Sequence, residues 1–98
     1  MINAEYVKRL NGKLYKVLCL FEENSETVTT NIDSLLYELN GLEYLLPKEN
    51  KPLLVSLISI LERMYDDSLQ VEFNISVIRR EVFHCMDIIS KFRLEGEV

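Results

Sequence analysis

The residues that could support metal chemistry lie close together in the last third of the chain. Glu81 and His84 form a Glu-x-x-His pair, and residues three apart lie on one face of a helix. Helical proteins with two metal ions use this pair twice, together with further inward-facing glutamates. His84 is the sole histidine of the sequence, so one copy cannot complete such a site. A metal-binding helical bundle that uses Glu81 and His84 is therefore an alternative and not the main interpretation.

Cys85 follows His84 directly, and a neighbouring cysteine and histidine raise the question of nucleophilic catalysis. Successive helical residues diverge by about 100°, and Cys85 falls on an apolar stripe, where a thiol is usually inert. The other cysteine, Cys19, is distant, and the sequence has no Gly-rich phosphate loop, Gly-x-Ser-x-Gly or His-Glu-x-x-His motif. We therefore expect no enzyme activity, no cofactor, no bound metal and no small-molecule substrate.

These residues belong to the last of four segments in which apolar side chains recur at alternating steps of three and four residues. This spacing is typical of one buried face of a helix. In chain order the stripes are Val7, Leu10, Leu14, Val17 and Phe21; Val28, Ile32, Leu35, Leu39, Leu42 and Leu46; Leu54, Leu57, Leu61 and Met64; and Ile75, Ile78, Val82, Cys85, Ile89 and Phe92.

Capping and helix-breaking residues separate the four segments. Ser25 or Thr27 can cap the second helix, Pro47 stops it, and Asn74 or Ser76 can cap the last. We predict helices over about residues 3–23, 27–46, 51–66 and 74–93, within one helical domain spanning 1–98. Short links favour antiparallel neighbours, so the predicted fold is all-α, an antiparallel up-down four-helix bundle.

Two local features leave alternatives open. Asn11-Gly12 is a turn signal, so residues 6–21 form either one helix or a β-hairpin about that dipeptide. Apolar residues alternate like those of a strand at Val71, Phe73, Ile75 and Val77, but we interpret residues 69–74 as an irregular link between helices.

The sequence Asn-Gly-x-x-Tyr occurs twice, at 11–15 and at 40–44. In the second helix, Tyr37, Gly41 and Tyr44 lie opposite the apolar stripe, so they form a notch between two exposed aromatic side chains. An exposed glycine inside a helix costs about 1 kcal/mol relative to alanine, and tyrosines are common anchors in protein interfaces. This surface is a candidate partner-binding site.

The third helix is apolar on nearly every side. Beyond its stripe it carries Leu53, Val55, Ile58, Ile60 and Tyr65, more than a small bundle hides easily. We expect a second molecule to cover part of it. The candidate partner-binding residues are thus Tyr37, Gly41, Tyr44, Leu53, Val55 and Ile60.

Composition narrows the class of function. The chain has 98 residues, of which 48% are hydrophobic, and a net charge of -5, which is the profile of a soluble globular protein. The acidic balance disfavours nucleic-acid binding, although a dimeric nucleic-acid regulator using Arg79, Arg80, Lys91 and Arg93 stays an alternative. The most apolar stretch, residues 53–61, has nine residues including two serines and is too short to span a membrane.

The main prediction is a small cytoplasmic interaction protein that binds a protein partner or itself. We expect this interaction protein to be an inhibitor, immunity protein, chaperone or regulator of bacterial or phage origin. The cytoplasmic location is expected because the first residues lack the apolar stretch of a secretion signal and the two cysteines form no disulfide framework.

Overall fold

The structure is a computed structural model that describes residues 2–94. Those residues form four α-helices and no β-strand: α1 (Ala4–Glu22), α2 (Val28–Leu42), α3 (Lys51–Ser68) and α4 (Ile75–Ser90), with a short 3-10 helix, Lys48–Asn50, leading into α3. The all-α prediction is confirmed. The predicted single domain also includes residues 1 and 95–98, which lie outside the described residues.

The hairpin alternative is wrong, because α1 runs without interruption through Asn11 and Gly12. Residues 69–74 are irregular, as predicted. Phe73 anchors this link, because its ring packs edge-on against that of Phe21 at a centroid distance of 5.1 Å.

Asparagine side chains cap the starts of α1 and α4. Asn3 accepts a hydrogen bond from the Tyr6 backbone N–H at 2.8 Å, and Asn74 accepts one from Ser76 at 2.9 Å, so the predicted cap of α4 is confirmed. After α1, Asn24 adopts a left-handed φ of 54°, a conformation that asparagine tolerates better than most residues. The Ser25 N–H then bonds to the Leu20 carbonyl at 2.9 Å, which closes the helix.

Helix α2 ends at Leu42, four residues before the predicted end at 46. The Glu43 N–H donates to the carbonyl of Asn40, three residues earlier, whereas an α-helix uses the carbonyl four residues earlier. The last turn therefore has the tighter 3-10 geometry. Pro47 also disfavours helical backbone angles at the residue before it. Leu46 nevertheless stays in the core, and Gly41 lies in the final turn of α2 and not in its middle.

The predicted stripes form the core almost completely. Every stripe residue is buried except Val7 and Ile75, which are half-buried against the others. The core also includes four apolar residues outside the predicted stripes: Ile2, Leu18, Ile60 and Ile88.

Each helix packs against two others: α1 and α3 both contact α2 and α4. Each of the four pairs of neighbouring helices is also joined by a polar contact near the helix ends. They are Tyr6 with Glu38, Thr29 with Ser68, Asn50 with Arg93, and Arg79 with Glu22. In each pair, a residue near the start of one helix meets a residue near the end of its neighbour.

Candidate interaction surface

Two tyrosines stand on the outer side of α2, away from its buried stripe. Tyr37 is 85% exposed and Tyr44 is 88% exposed. Gly41 lies between them, and a Cβ atom built on it would meet nothing within 4 Å. Tyr44 lies two residues beyond Leu42, the last helical residue, in the turn that ends α2. We call Tyr37, Gly41 and Tyr44 the tyrosine face.

The third helix contributes less to an exposed surface than the sequence predicts. Ile60 is only 3% exposed, so its assignment to the partner-binding surface is corrected to the core. Leu53 is half-buried against the core, and Val55 alone of the three is largely open, at 65% exposure. The reason is that α3 packs against both α2 and α4, so it buries a wider arc than its stripe. The described part of the chain therefore covers most of the apolar side chains of α3 without a second molecule.

A shallow groove of about 260 Å³ runs between α2 and α3 beside the tyrosine face. Its lining includes three apolar residues of α3, namely Leu54, Val55 and Ile58. Asn40 and Glu43 form its α2 rim, and each of these residues adjoins a member of the tyrosine face in the chain. Tyr37, Gly41 and Tyr44 themselves do not line this groove. The sequence predicts the two tyrosines but not this groove, because the groove depends on how the two helices pack.

The opposite flank of α2 is occupied by a polar cluster that fixes it to α1. The Tyr6 hydroxyl donates to one oxygen of Glu38, and the Lys13 ammonium lies 2.6 Å from the other. Burial, the hydrogen bond to Glu38 and the negative charge of Glu38 all raise the pKa of Tyr6. Burial alone would raise the pKa of Glu38, but the hydrogen bonds from Lys13 and Tyr6 outweigh it and lower that pKa. Glu38 is therefore a charged structural anchor on the α1 side of the helix.

The residues considered for catalysis or metal binding are separated by their surroundings. His84 is exposed, whereas Glu81 is half-buried and pairs with Arg63 at 3.4 Å. Cys85 is 0% exposed, and burial, with the nearby Glu81 charge, raises the pKa of its thiol to about 12 against the effect of Arg63. A neutral, enclosed thiol is a poor nucleophile. Across residues 2–94, no group of three or more His, Cys, Asp or Glu side chains is placed to hold a metal ion.

The basic residues near the end of the chain are largely neutralised. Arg79 pairs with Glu22 at 3.1 Å, Lys91 with Asp87 at 3.2 Å, and Arg93 with Glu49 at 3.0 Å. Among these four cations, only Arg80 has no ion pair to a described residue. The set thus offers little net positive charge to a phosphate backbone.

Comparison with known protein families, characterised proteins and solved structures found no match to this chain. The described helices include none that is both long and apolar enough to cross a membrane. Any assignment of function therefore depends on the surface described above.

Proposed function

We propose that this chain is a small helical interaction protein that binds protein through the tyrosine face and catalyses no reaction. The observation that carries the proposal is the pairing of two almost fully exposed tyrosines, at 85% and 88%, with an open glycine between them. A tyrosine that becomes buried removes about 150–250 Å² from water. Tyrosines are also enriched among the residues that dominate binding free energy.

The rest of the molecule serves as a rigid support for this face. We infer that the four helices form an antiparallel up-down bundle, because each of the four polar contacts joins the start of one helix to the end of its neighbour. Buried leucines such as Leu35 and Leu39 hold α2 against the core. The contacts of Glu38 with Tyr6 and Lys13 hold it against α1. A fixed backbone lowers the entropic cost of binding, since the anchors are already in place.

Location and biological type belong to the proposal as well. A cytoplasmic protein suits the two free thiols, Cys19 and Cys85, which a reducing compartment preserves. We propose that the protein acts as an inhibitor, immunity protein, chaperone or regulator. Each of these acts by binding another protein, and the most exposed aromatic side chains, Tyr37 and Tyr44, offer a surface for such binding. The Arg63–Glu81 pair weakens the metal-binding alternative, and the neutralised cations of α4 weaken the nucleic-acid alternative.

Site-specific photo-cross-linking in living cells tests the proposal. A photoreactive phenylalanine derivative replaces Tyr37 or Tyr44 in turn, and the matched control carries it in place of Tyr15, which is 56% exposed on α1. We expect covalent protein adducts from positions 37 and 44 in clear excess over position 15. Equal yields at all three positions, or no adducts at any of them, would show that the tyrosine face is not the binding surface.

A further inference from the structure

We propose that a concavity between α3 and α4 binds a phosphate dianion through Arg63, Arg80 and His84. The concavity has a volume of about 310 Å³, and Glu81 is the fourth residue that lines it. It shares no residue with the tyrosine face, so this inference goes beyond the proposed function and does not rest on it.

The three proposed ligand-binding side chains come from two neighbouring helices. Arg80 and His84 are four residues apart in α4, so they lie on the same face of that helix. Arg63 reaches this face from α3, where its guanidinium contacts Glu81 at 3.4 Å. All three side chains belong to exposed residues, so an ion in solution has direct access to them. Two packed helices thus bring three hydrogen-bond donors to one concavity.

Arg80 is the donor that the fold leaves unused. Its neighbour Arg79 pairs with Glu22 at 3.1 Å, and Arg93 pairs with Glu49 at 3.0 Å. Arg80 forms no ion pair and no side-chain hydrogen bond with any of residues 2–94. A guanidinium presents five N–H donors in a planar fork, which fits two oxygens of one phosphate group. The donors of Arg80 are therefore available to a ligand.

Arg63 is only weakly held by the acid beside it. Its contact with Glu81 is longer than the contacts of the other two paired arginines of this region, and such exposed ion pairs are weak. A phosphate dianion carries twice the charge of the Glu81 carboxylate, so it can compete for the Arg63 guanidinium. Glu81 then acts as an internal competitor that the ligand must displace.

The charge of the concavity selects the class of ligand. Its lining is polar throughout, and the two guanidiniums and one carboxylate carry a net charge of +1. The His84 imidazole adds an N–H donor, and a positive charge when it is protonated. At equal distance a dianion gains twice the Coulomb attraction of a single carboxylate. Because the donors are exposed to water, we expect a dissociation constant in the millimolar range.

Proton NMR of the untagged protein tests the inference. His84 is the sole histidine of the chain, so its ring resonances report on this concavity without further assignment. Inorganic phosphate is added up to about 50 mM at fixed pH, in exchange for NaCl so that ionic strength stays constant. We expect a saturable shift of the ring resonances with a dissociation constant of about 1–10 mM. The absence of a saturable shift would overturn the inference.

Two adjacent arginines supply a matched pair of variants. Arg80→Ala should raise the dissociation constant at least about fivefold, because it removes one charge in contact with the ligand. Arg79→Ala removes the same charge at the next position, outside the concavity, and should leave the dissociation constant unchanged. Equal weakening in both variants would indicate diffuse attraction to α4 and would overturn the site.

Glu81→Gln tests the role of Arg63 with an effect of the opposite sign. The substitution removes the competing carboxylate and releases the Arg63 guanidinium, so phosphate should bind several-fold more tightly. A general loss of structure would weaken binding and could not produce this result. Unchanged or weaker binding would contradict the participation of Arg63 and overturn the inference.

A comparison of two probes separates free phosphate from a phosphate group on a larger molecule. Methyl phosphate has the same functional group but one fewer free oxygen than inorganic phosphate. Equal binding of the two supports a site for small phosphate monoesters, and tighter binding of inorganic phosphate supports a site for the free ion. Failure of both to bind would leave no phosphate site in this concavity.

Discussion

Replacing Asn50 with alanine should destabilise the protein more than any other single change at a polar residue. Asn50 is the only buried polar residue among those that the structure describes, at 1% exposure. Its side-chain amide donates to the Arg93 carbonyl at 3.1 Å, and its side-chain oxygen accepts from the Arg93 N–H at 2.8 Å. These two bonds tie the segment after α4 to the start of α3.

The magnitude follows from what Asn50→Ala leaves behind. Each hydrogen bond contributes about 1 kcal/mol net. Asn50→Ala removes two such bonds, and because Arg93 is exposed, water can reach its backbone groups, so we expect the free energy of unfolding to fall by about 2 kcal/mol. That is a large share of the roughly 5–15 kcal/mol that holds a small domain together.

Urea denaturation followed by far-ultraviolet circular dichroism measures the loss, with Glu49→Ala as the matched control. Glu49 precedes Asn50 and contacts Arg93 through an exposed ion pair at 3.0 Å, which contributes less than about 1 kcal/mol. Hydrogen exchange adds a local measurement, since the Arg93 amide should exchange faster in Asn50→Ala. If Asn50→Ala costs no more than Glu49→Ala, the reasoning about this buried amide is wrong.

Further substitutions test the inner and outer sides of α2. Leu39→Ala should lower the free energy of unfolding by about 2–5 kcal/mol, whereas Tyr37→Ala should change it by under about 0.5 kcal/mol; equal losses in chemical denaturation would contradict the assignment. Gly41→Ala should raise the melting temperature, because the helix gains up to about 1 kcal/mol and the added Cβ meets nothing within 4 Å; a lower melting temperature would refute this. The lowered pKa of Glu38 means that its stabilising contribution is present above the ordinary value of 4.5 and is lost as the pH falls through the folded value. Glu38→Gln should therefore flatten the acid limb of a pH–stability curve, and an acid limb equal to that of the wild type would contradict this.

The periodicity of the sequence was sufficient to predict the helices and nearly all of the core. Alternating steps of three and four residues depend only on helix geometry, so Leu10, Leu39 and Cys85 could be placed inside without knowledge of the fold. The exposure of Tyr37 and Tyr44 followed from the same geometry, because they lie opposite the stripe of α2.

The features that the sequence did not predict depend on contacts between distant segments. Ile60 is buried because α3 packs against two neighbours, and a stripe assignment assumes a single buried face. The pairing of Asn50 with Arg93 joins residues 43 apart in the chain. In the sequence alone, Asn50 suggests only the start of a helix. The end of α2 at Leu42 depends on a tight local turn, which Pro47 alone does not locate.

The distribution of tyrosines also gives the molecule an optical reporter of its own surface. The sequence contains five tyrosines and no tryptophan, so tyrosine emission is not masked by energy transfer to an indole. Three of the five rings, those of Tyr15, Tyr37 and Tyr44, are more than half exposed. A change in tyrosine emission can therefore report contact at the tyrosine face in solution without an attached dye.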